Sequence, residues 1–278
     1  MPKLIDAHTH AHFAAYADDM REVIKRALDE GTWMVNVGTQ RDTSESAIRI
    51  AEEYSEGVYA TVGLHPIHTT ESYHDEKELG GGEAAKAFTS RGEKFDKDLY
   101  IQLASQKKVV AIGECGLDYY RLDKESQGKQ KEVFIKQIEV SSAVKKPLMI
   151  HCRQAFPDLI KILKENKDKL VKDKSGITHF FTGSAEEAKE LKELGFYFSF
   201  GGVVTFARDY DEAIREIGID RIVLETDAPY VAPEPFRGKR NEPAYVKYVA
   251  EKVAEILNLG VSEVAERTTE NARNVLGI

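Results

Sequence analysis

The sequence predicts a (β/α)8 barrel, a TIM barrel, with residues 1–278 forming a single domain. Three observations predict it. Eight short runs rich in β-branched and aromatic residues alternate with amphipathic stretches of helical period. Their starts lie 28, 26, 51, 38, 29, 20 and 25 residues apart, and most of these intervals suit a strand–helix–strand unit with short loops. Eight such units in about 250 residues is the length this barrel takes. An open doubly wound sheet is the alternative, but no GxGxxG or phosphate-loop pattern supports it.

In chain order, LIDAH (4–8) reads as the first strand and leads into a helical pattern at 17–30. TWMVNVG (32–38) and VYATVGL (58–64) are the next two strands, separated by a helix at 43–55. VVAIGE (109–114) follows a helix at 96–107, and PLMIH (147–151) follows the long helical stretch 125–145. GITHF (176–180), FYFSF (196–200) and RIVLETD (221–227) complete the set, with helices at 154–170, 184–194 and 209–217. A helical pair at 243–257 and 261–276 closes the chain. The one long interval holds residues 67–95, with three consecutive glycines, Gly80 to Gly82. Helical period fits only its end, so it reads as a long loop or short helical insertion, either a lid or a surface decoration.

Bulk properties narrow the function. The 278 residues, 42% of them hydrophobic, suffice for one large core. No run of 18 apolar residues is present, so no membrane span is expected. The first strand begins by residue 4, which leaves no room for a signal peptide. Two cysteines, Cys115 and Cys152, are too few for a disulfide framework and fit a reducing cytoplasm. A formal charge of −8 argues against a protein held to duplex DNA by a broad basic face. The lysine-rich stretch 161–174 has interspersed acids and reads as a solvated helix face. A monomer with no obligate protein partner is expected.

The chemistry lies at the strand ends. His8 and His10 alternate on an extended strand, so their imidazoles point to the same face. Alone, this pair is either a metal-binding arm or a core-satisfied cluster. The eight histidines (8, 10, 12, 65, 68, 74, 151 and 179) all lie at predicted strand ends or in the loops that follow, and none lies in a predicted helix. In a barrel those ends form one face, where active sites sit. Glu114 and Asp227 close two hydrophobic strands on the same rim, and a buried acid there must be paired or metal-bound. Six groups, His8, His10, Glu114, His151, His179 and Asp227, exceed one tetrahedral site and suggest two divalent ions sharing a carboxylate. Imidazole and carboxylate together admit zinc, manganese or magnesium.

The motifs IDAHTH (5–10), VGLHP (62–66), AIGECGLDYYR (111–121), MIHCR (149–153), THFFTGS (178–184), LETDAPYVAPEP (224–235) and RGKRNEP (237–243) resemble, in order, those of the TatD family of metal-dependent hydrolases. They are more distantly similar to the amidohydrolase superfamily. The resemblance runs from residue 4 to the C-terminal TTENARNVLGI. It implies a TIM barrel and metal-dependent phosphodiester hydrolysis, as a deoxyribonuclease of 3′–5′ exonuclease type acting on DNA ends or short single-stranded DNA. It implies His8, His10 and Asp227 as ligands of one ion, His151 and His179 as ligands of the other, and Glu114 as the bridge. The chain departs from the family at Ala11-His12 and at Phe236, both expected near the substrate mouth, and in the length of 67–95.

Within this frame Glu114 and Asp227 are the catalytic carboxylates, Asp227 as general base toward water. His65 is a candidate phosphate donor or a brace for the loop before Pro66. Arg153 either forks onto a phosphate or pairs with a rim acid. Most of RGKRNEP is expected to be structural. Cys115 and Cys152 read as buried packing residues, and Tyr119 and Tyr120 as rim packing rather than base-stacking platforms. An amidohydrolase or lactonase is the competing enzyme class, because the same two-metal chemistry attacks carbonyls. A metal-binding protein without turnover is the competing non-enzyme.

Overall fold

The computed structural model describes residues 1–76, 83–84, 86–120 and 124–278. Eight parallel strands close into a barrel in the order β1 (Leu4–Thr9), β10 (Ile222–Leu224), β9 (Phe196–Phe200), β8 (Gly176–Thr178), β7 (Leu148–Arg153), β6 (Val109–Asp118), β3 (Val58–Val62) and β2 (Thr32–Val37). All eight predicted strands are barrel strands, and the fold is the (β/α)8 barrel that the spacing predicts. Among the described residues, helices α1 (Met20–Asp29), α2 (Arg41–Glu52), α3 (Lys97–Ala104), α4 (Lys124–Val144), α5 (Phe156–Glu165), α6 (Ala185–Glu193), α7 (Asp211–Ile217), α8 (Val246–Leu257) and α9 (Val261–Leu276) surround it. None of these is long and apolar enough to cross a membrane.

The core follows from strand alternation inside a closed sheet. Ile5, Ala7, Val35, Val37, Ala111, Met149, Ile177 and Val223 fill one buried cluster, against which α9 packs Val275 and Leu276. The larger cluster lies between sheet and helices, with Phe134, Ile138, Leu159, Leu163, Phe196 and Phe198 among its buried residues. α6 starts with a reciprocal capping box, Ser184 accepting from the Glu187 amide while Glu187 accepts from the Ser184 amide.

Residues 67–95 correct the expectation of a loop or helical insertion. A short 3-10 turn, Pro66–Thr69, leads into an antiparallel hairpin of β4 (Glu71–His74) and β5 (Phe88–Arg91). Each strand has only four residues, with polar side chains on both faces, so period-two alternation of apolar residues was not there to read. The Gly80–Gly82 run and Arg121 lie outside the described residues.

Candidate metal centre

Every histidine and carboxylate of the predicted six arrives at the same mouth of the barrel. His8 stands on β1, and His10 just past it, its amide donating to the Ala228 carbonyl (2.7 Å). His151 stands on β7, and His179 follows β8, its amide donating to the Ile150 carbonyl (2.9 Å). β10 ends at Leu224, three residues short of the expected strand end. Asp227 therefore sits in a turn with left-handed φ of 54°, tied by its amide to the His8 carbonyl (2.9 Å). That turn brings its carboxylate back over His8 and His10.

Glu114 is carried by β6 between Gly113 and Gly116, where the strand crosses its neighbour closely. A Cβ added at Gly113 would fall on the Met149 carbonyl oxygen, and one at Gly116 on the His151 carbonyl oxygen. Both glycines also have φ in the range that L side chains rarely adopt, so the sequence GECG is the local condition for delivering Glu114 to the mouth.

The two oxygens of Glu114 face different partners. Oε2 lies 3.5 Å from His8 Nε2 and 3.8 Å from His10 Nε2. Asp227 Oδ1 lies 3.7 and 3.4 Å from the same two nitrogens, which are 3.4 Å apart. Oε1 lies 2.9 Å from His179 Nε2 and 3.2 Å from His151 Nδ1, and these nitrogens are also 3.4 Å apart. Donors arranged tetrahedrally around an ion at about 2.0–2.2 Å stand about 3.3–3.6 Å from one another. The first set, at 3.4–3.8 Å, is slightly wider than that spacing and the second, at 2.9–3.4 Å, slightly contracted, and nitrogen with carboxylate oxygen is the donor chemistry of a divalent ion.

In two of the four rings a partner at the remaining nitrogen fixes the tautomer, whereas His8 Nδ1 and His179 Nδ1 are buried without one. His10 Nδ1 donates to the Val37 carbonyl (2.8 Å), and His151 Nε2 donates to Asp118 Oδ2 (2.8 Å). Each leaves the other nitrogen's lone pair aimed at the centre, as metal-ligating histidines require. His65 is different. Its Nε2 lies 3.2 Å from Glu114 Oε1, and with Glu114 and His151 it meets the distance condition for a ligand group. Yet its Nδ1 accepts the Ile67 amide (3.2 Å), so in the neutral ring Nε2 carries the proton and donates. His65 is thus a hydrogen-bond donor at the centre.

Electrostatics agree with a site built around Glu114. Burial alone would raise its pKa, but His65, His179 and His8, together with the His151 hydrogen bond, hold the carboxyl well below its ordinary range. Burial opposes charge on His179 and His151 too, and the facing carboxylates overrule it. Glu114 and Glu225 raise His179 well above its usual value, while Asp118 and Glu114 raise His151. His8 is lowered, by burial first and then by His179. Burial likewise works against the Asp227 carboxylate, but the His10 hydrogen bond and the neighbouring rings keep it ionised.

Three buried acids around the centre were missed by sequence reasoning. Asp118 orients His151, and its own position is set by Gln130, whose Oε1 accepts the Asp118 amide (2.9 Å). Glu225 accepts from the Phe180 amide (3.0 Å) and the Ser199 hydroxyl, with Oε1 3.6 Å from His179 Nδ1, outside hydrogen-bond distance. Asp6 accepts from the Thr226 amide (2.9 Å) and hydroxyl (2.5 Å), pinning β1 to the chain after β10. The available signal was an acid inside an apolar run, at Asp6, Asp118 and Glu225 alike.

Other predicted residues fall as follows. Arg153 lines the cavity with its guanidinium 3.8 Å from the Tyr120 ring centroid. Tyr119 is rim packing, its hydroxyl donating to Asp158 (2.8 Å). Cys115 and Cys152 are buried, and burial pushes both thiols up, away from nucleophilic use. In RGKRNEP, Arg240 and Asn241 make structural contacts: Arg240 forks onto Asp19, and Asn241 Nδ2 donates to the Thr226 and Tyr230 carbonyls (both 2.8 Å). His12 and Phe236 correct the expectation of a place at the mouth. His12 is buried behind the centre with Nδ1 3.4 Å from Asn36 Oδ1, and burial lowers its pKa to about 3. Phe236 stacks on Tyr245 with centroids 4.2 Å apart.

A closed parallel barrel whose mouth gathers imidazoles and carboxylates at ligand spacing is the scaffold of a metal-dependent hydrolase. The chain belongs to the TatD family: the model of TatD related DNases matches residues 5–277. It is similar to the uncharacterized metal-dependent hydrolase YabD of Bacillus subtilis (strain 168), 42% identical over 278 residues and 99% of each chain. The protein named 3′-5′ ssDNA/RNA exonuclease TatD of Shigella flexneri serotype 5b is 29% identical over 283 residues, again 99% of each. In fold it matches the crystal structure of YJJV, a TatD homolog from Escherichia coli K12, with a TM-score of 0.80 at 24% identity, covering 99% of this chain and 98% of that one.

Proposed function

We propose that the protein is a two-metal phosphodiesterase that trims nucleic-acid ends, single-stranded DNA foremost. The observation that carries the reading is the division of Glu114 between two donor sets, Oε2 toward His8 and His10, Oε1 toward His151 and His179. In this reading His8, His10, Asp227 and Glu114 hold one ion, and Glu114, His151 and His179 hold the other. Divalent ions held by these residues would supply a lowered pKa for water and neutralisation of charge on the attacked phosphoryl group. Asp227, ionised and with its side chain 17% exposed to the cavity, takes the proton from the attacking water. His65 donates from Nε2 to a phosphoryl oxygen, and Arg153 supplies a fixed cation at the cavity wall. The relative named as a 3′-5′ ssDNA/RNA exonuclease supports the choice of bond and substrate. The cavity holds about 420 Å³, which suits one nucleotide at a frayed end rather than a duplex.

The test is hydrolysis of bis(p-nitrophenyl) phosphate and of a labelled single-stranded DNA. Chelator abolishes both activities, and manganese, magnesium or zinc restores them. Full turnover in chelator refutes metal catalysis. Turnover of lactones or dipeptides without either phosphodiester assigns the same centre to carbonyl chemistry.

A further inference from the structure

One wall of the catalytic cavity is built from residues that the proposed hydrolysis does not use. Ile67, His68, His74 and Phe88 line the same cavity as Glu114, His151 and Asp227, and all four come from the 66–91 segment. The hairpin presents them by strand alternation. In its register Ser72 pairs with Ser90 and His74 with Phe88, and these four share the inner face. Glu71, Tyr73, Thr89 and Arg91 take the outer face and are exposed. The rings continue outward from the centre: His65 to His68, 6.0 Å between centroids; His68 to Phe88, 5.8 Å; Phe88 to His74, 5.0 Å and stacked.

Both imidazoles are held in place by hydroxyls of the hairpin. His68 Nδ1 is 3.0 Å from Ser90 Oγ, and His74 Nε2 is 2.7 Å from Ser72 Oγ. Burying two imidazoles costs desolvation that leucine at the same positions would avoid, so packing alone does not account for them. Burial also lowers the His68 pKa to about 3, which keeps the ring neutral and rules it out as a counter-ion for Glu114. What remains for it is a flat face and a ring nitrogen. Phe13 and Tyr230, both beside His10, line the same cavity. A hollow with flat rings on its sides and an anion-binding centre at its base has the complementarity of a nucleoside phosphate, with the base against the rings and the phosphate at the centre.

We propose that the inner face of this hairpin is a nucleoside-binding wall, on which His68 and Phe88 position the base adjoining the scissile phosphate. This rests on the phosphodiesterase reading above and deepens it. The test uses the full-length, metal-loaded enzyme and three p-nitrophenyl esters with one leaving group: those of thymidine 5′-phosphate, thymidine 3′-phosphate and methyl phosphate. The readout is the ratio of kcat/KM for each nucleoside ester to that for the methyl ester. In His68→Ala and Phe88→Ala this ratio falls by roughly tenfold to a hundredfold for at least one nucleoside ester, mainly through KM. Phe88→Leu keeps apolar volume without the aromatic face, so it gives an intermediate ratio and serves alone if the alanine variant does not fold. Ratios within about twofold of the parent for both nucleoside esters overturn the proposal, even where absolute activity drops. A parent enzyme that cleaves none of the three esters refutes the phosphodiesterase reading instead.

Discussion

Replacing Glu114 by alanine takes away the one side chain that faces all four proposed imidazole ligands. Its Oε1 stands within 3.2 Å of His151 and His179, and its Oε2 within 3.8 Å of His8 and His10. Loss of a partner that merely orients a ligand costs about 10- to 100-fold in metal affinity. Loss of a carboxylate shared by two ions removes a ligand from both, together with the charge that offsets their mutual repulsion. Several kcal/mol of transition-state charge stabilisation is at stake, and at about 1.4 kcal/mol per decade this amounts to a drop of roughly 10³-fold or more in turnover. The barrel should survive, because Glu114 lies at the mouth, away from the apolar cluster between sheet and helices. The assay combines elemental analysis of bound metal, kcat/KM on bis(p-nitrophenyl) phosphate and a thermal melt, with Glu114→Gln as the variant of matched volume. A variant that keeps two ions per chain and turns over within about tenfold of the parent would refute the bridging geometry.

The remaining predictions touch the supporting structure. Asp118→Asn frees His151 Nε2 from its carboxylate and should weaken metal binding by about 10- to 100-fold in a chelator-competition titration; unchanged affinity would mean that Asp118 does not orient the ring. Asp19 is held below its ordinary value of 3.8, first by the Arg240 hydrogen bond, with burial opposing. Its stabilising contribution is therefore present above that value and is lost as pH falls through the lowered folded pKa. The difference in Tm between parent and Asp19→Asn should shrink from neutral to strongly acidic pH, and a difference that grows on acidification would contradict this sign.

The barrel was legible because its signals are local and repeated: eight apolar runs at helical-unit spacing. The convergence of the six proposed ligands on one mouth was legible too, since each ends such a run or follows it by a few residues. What escaped depends on where a strand stops. β6 runs on to Asp118 rather than ending at Glu114, so Asp118 lies beyond the predicted strand and its partnership with His151 is not visible in the spacing. β8 and β10 stop early, at Thr178 and Leu224, and the chain bends at Phe180 and Asp227 through left-handed φ of 45° and 54°. No pattern of apolar residues encodes that bend. The hairpin escaped for a related reason: its inner face is Ser72, His74, Phe88 and Ser90, and three of those four are polar, so it lacks the hydrophobic alternation by which a strand is recognised.

Which histidines can bind an ion and which can only donate turns on second partners that sequence spacing cannot supply. By distance His65 is as good a ligand as His151, each with one ring nitrogen 3.2 Å from Glu114 Oε1. The difference lies at the opposite nitrogen, which in His151 donates to Asp118 and in His65 accepts from the Ile67 amide. A ring that accepts at Nδ1 has no lone pair left at Nε2 unless it loses both protons. His65→Ala removes the donor and should hold the parent's metal content while losing activity, by about 10²- to 10³-fold if the donor acts on transition-state charge. Elemental analysis and steady-state kinetics on the same preparation decide the matter. An ion lost along with the ring would show that His65 ligates after all, and that the Ile67 contact gives way when metal binds.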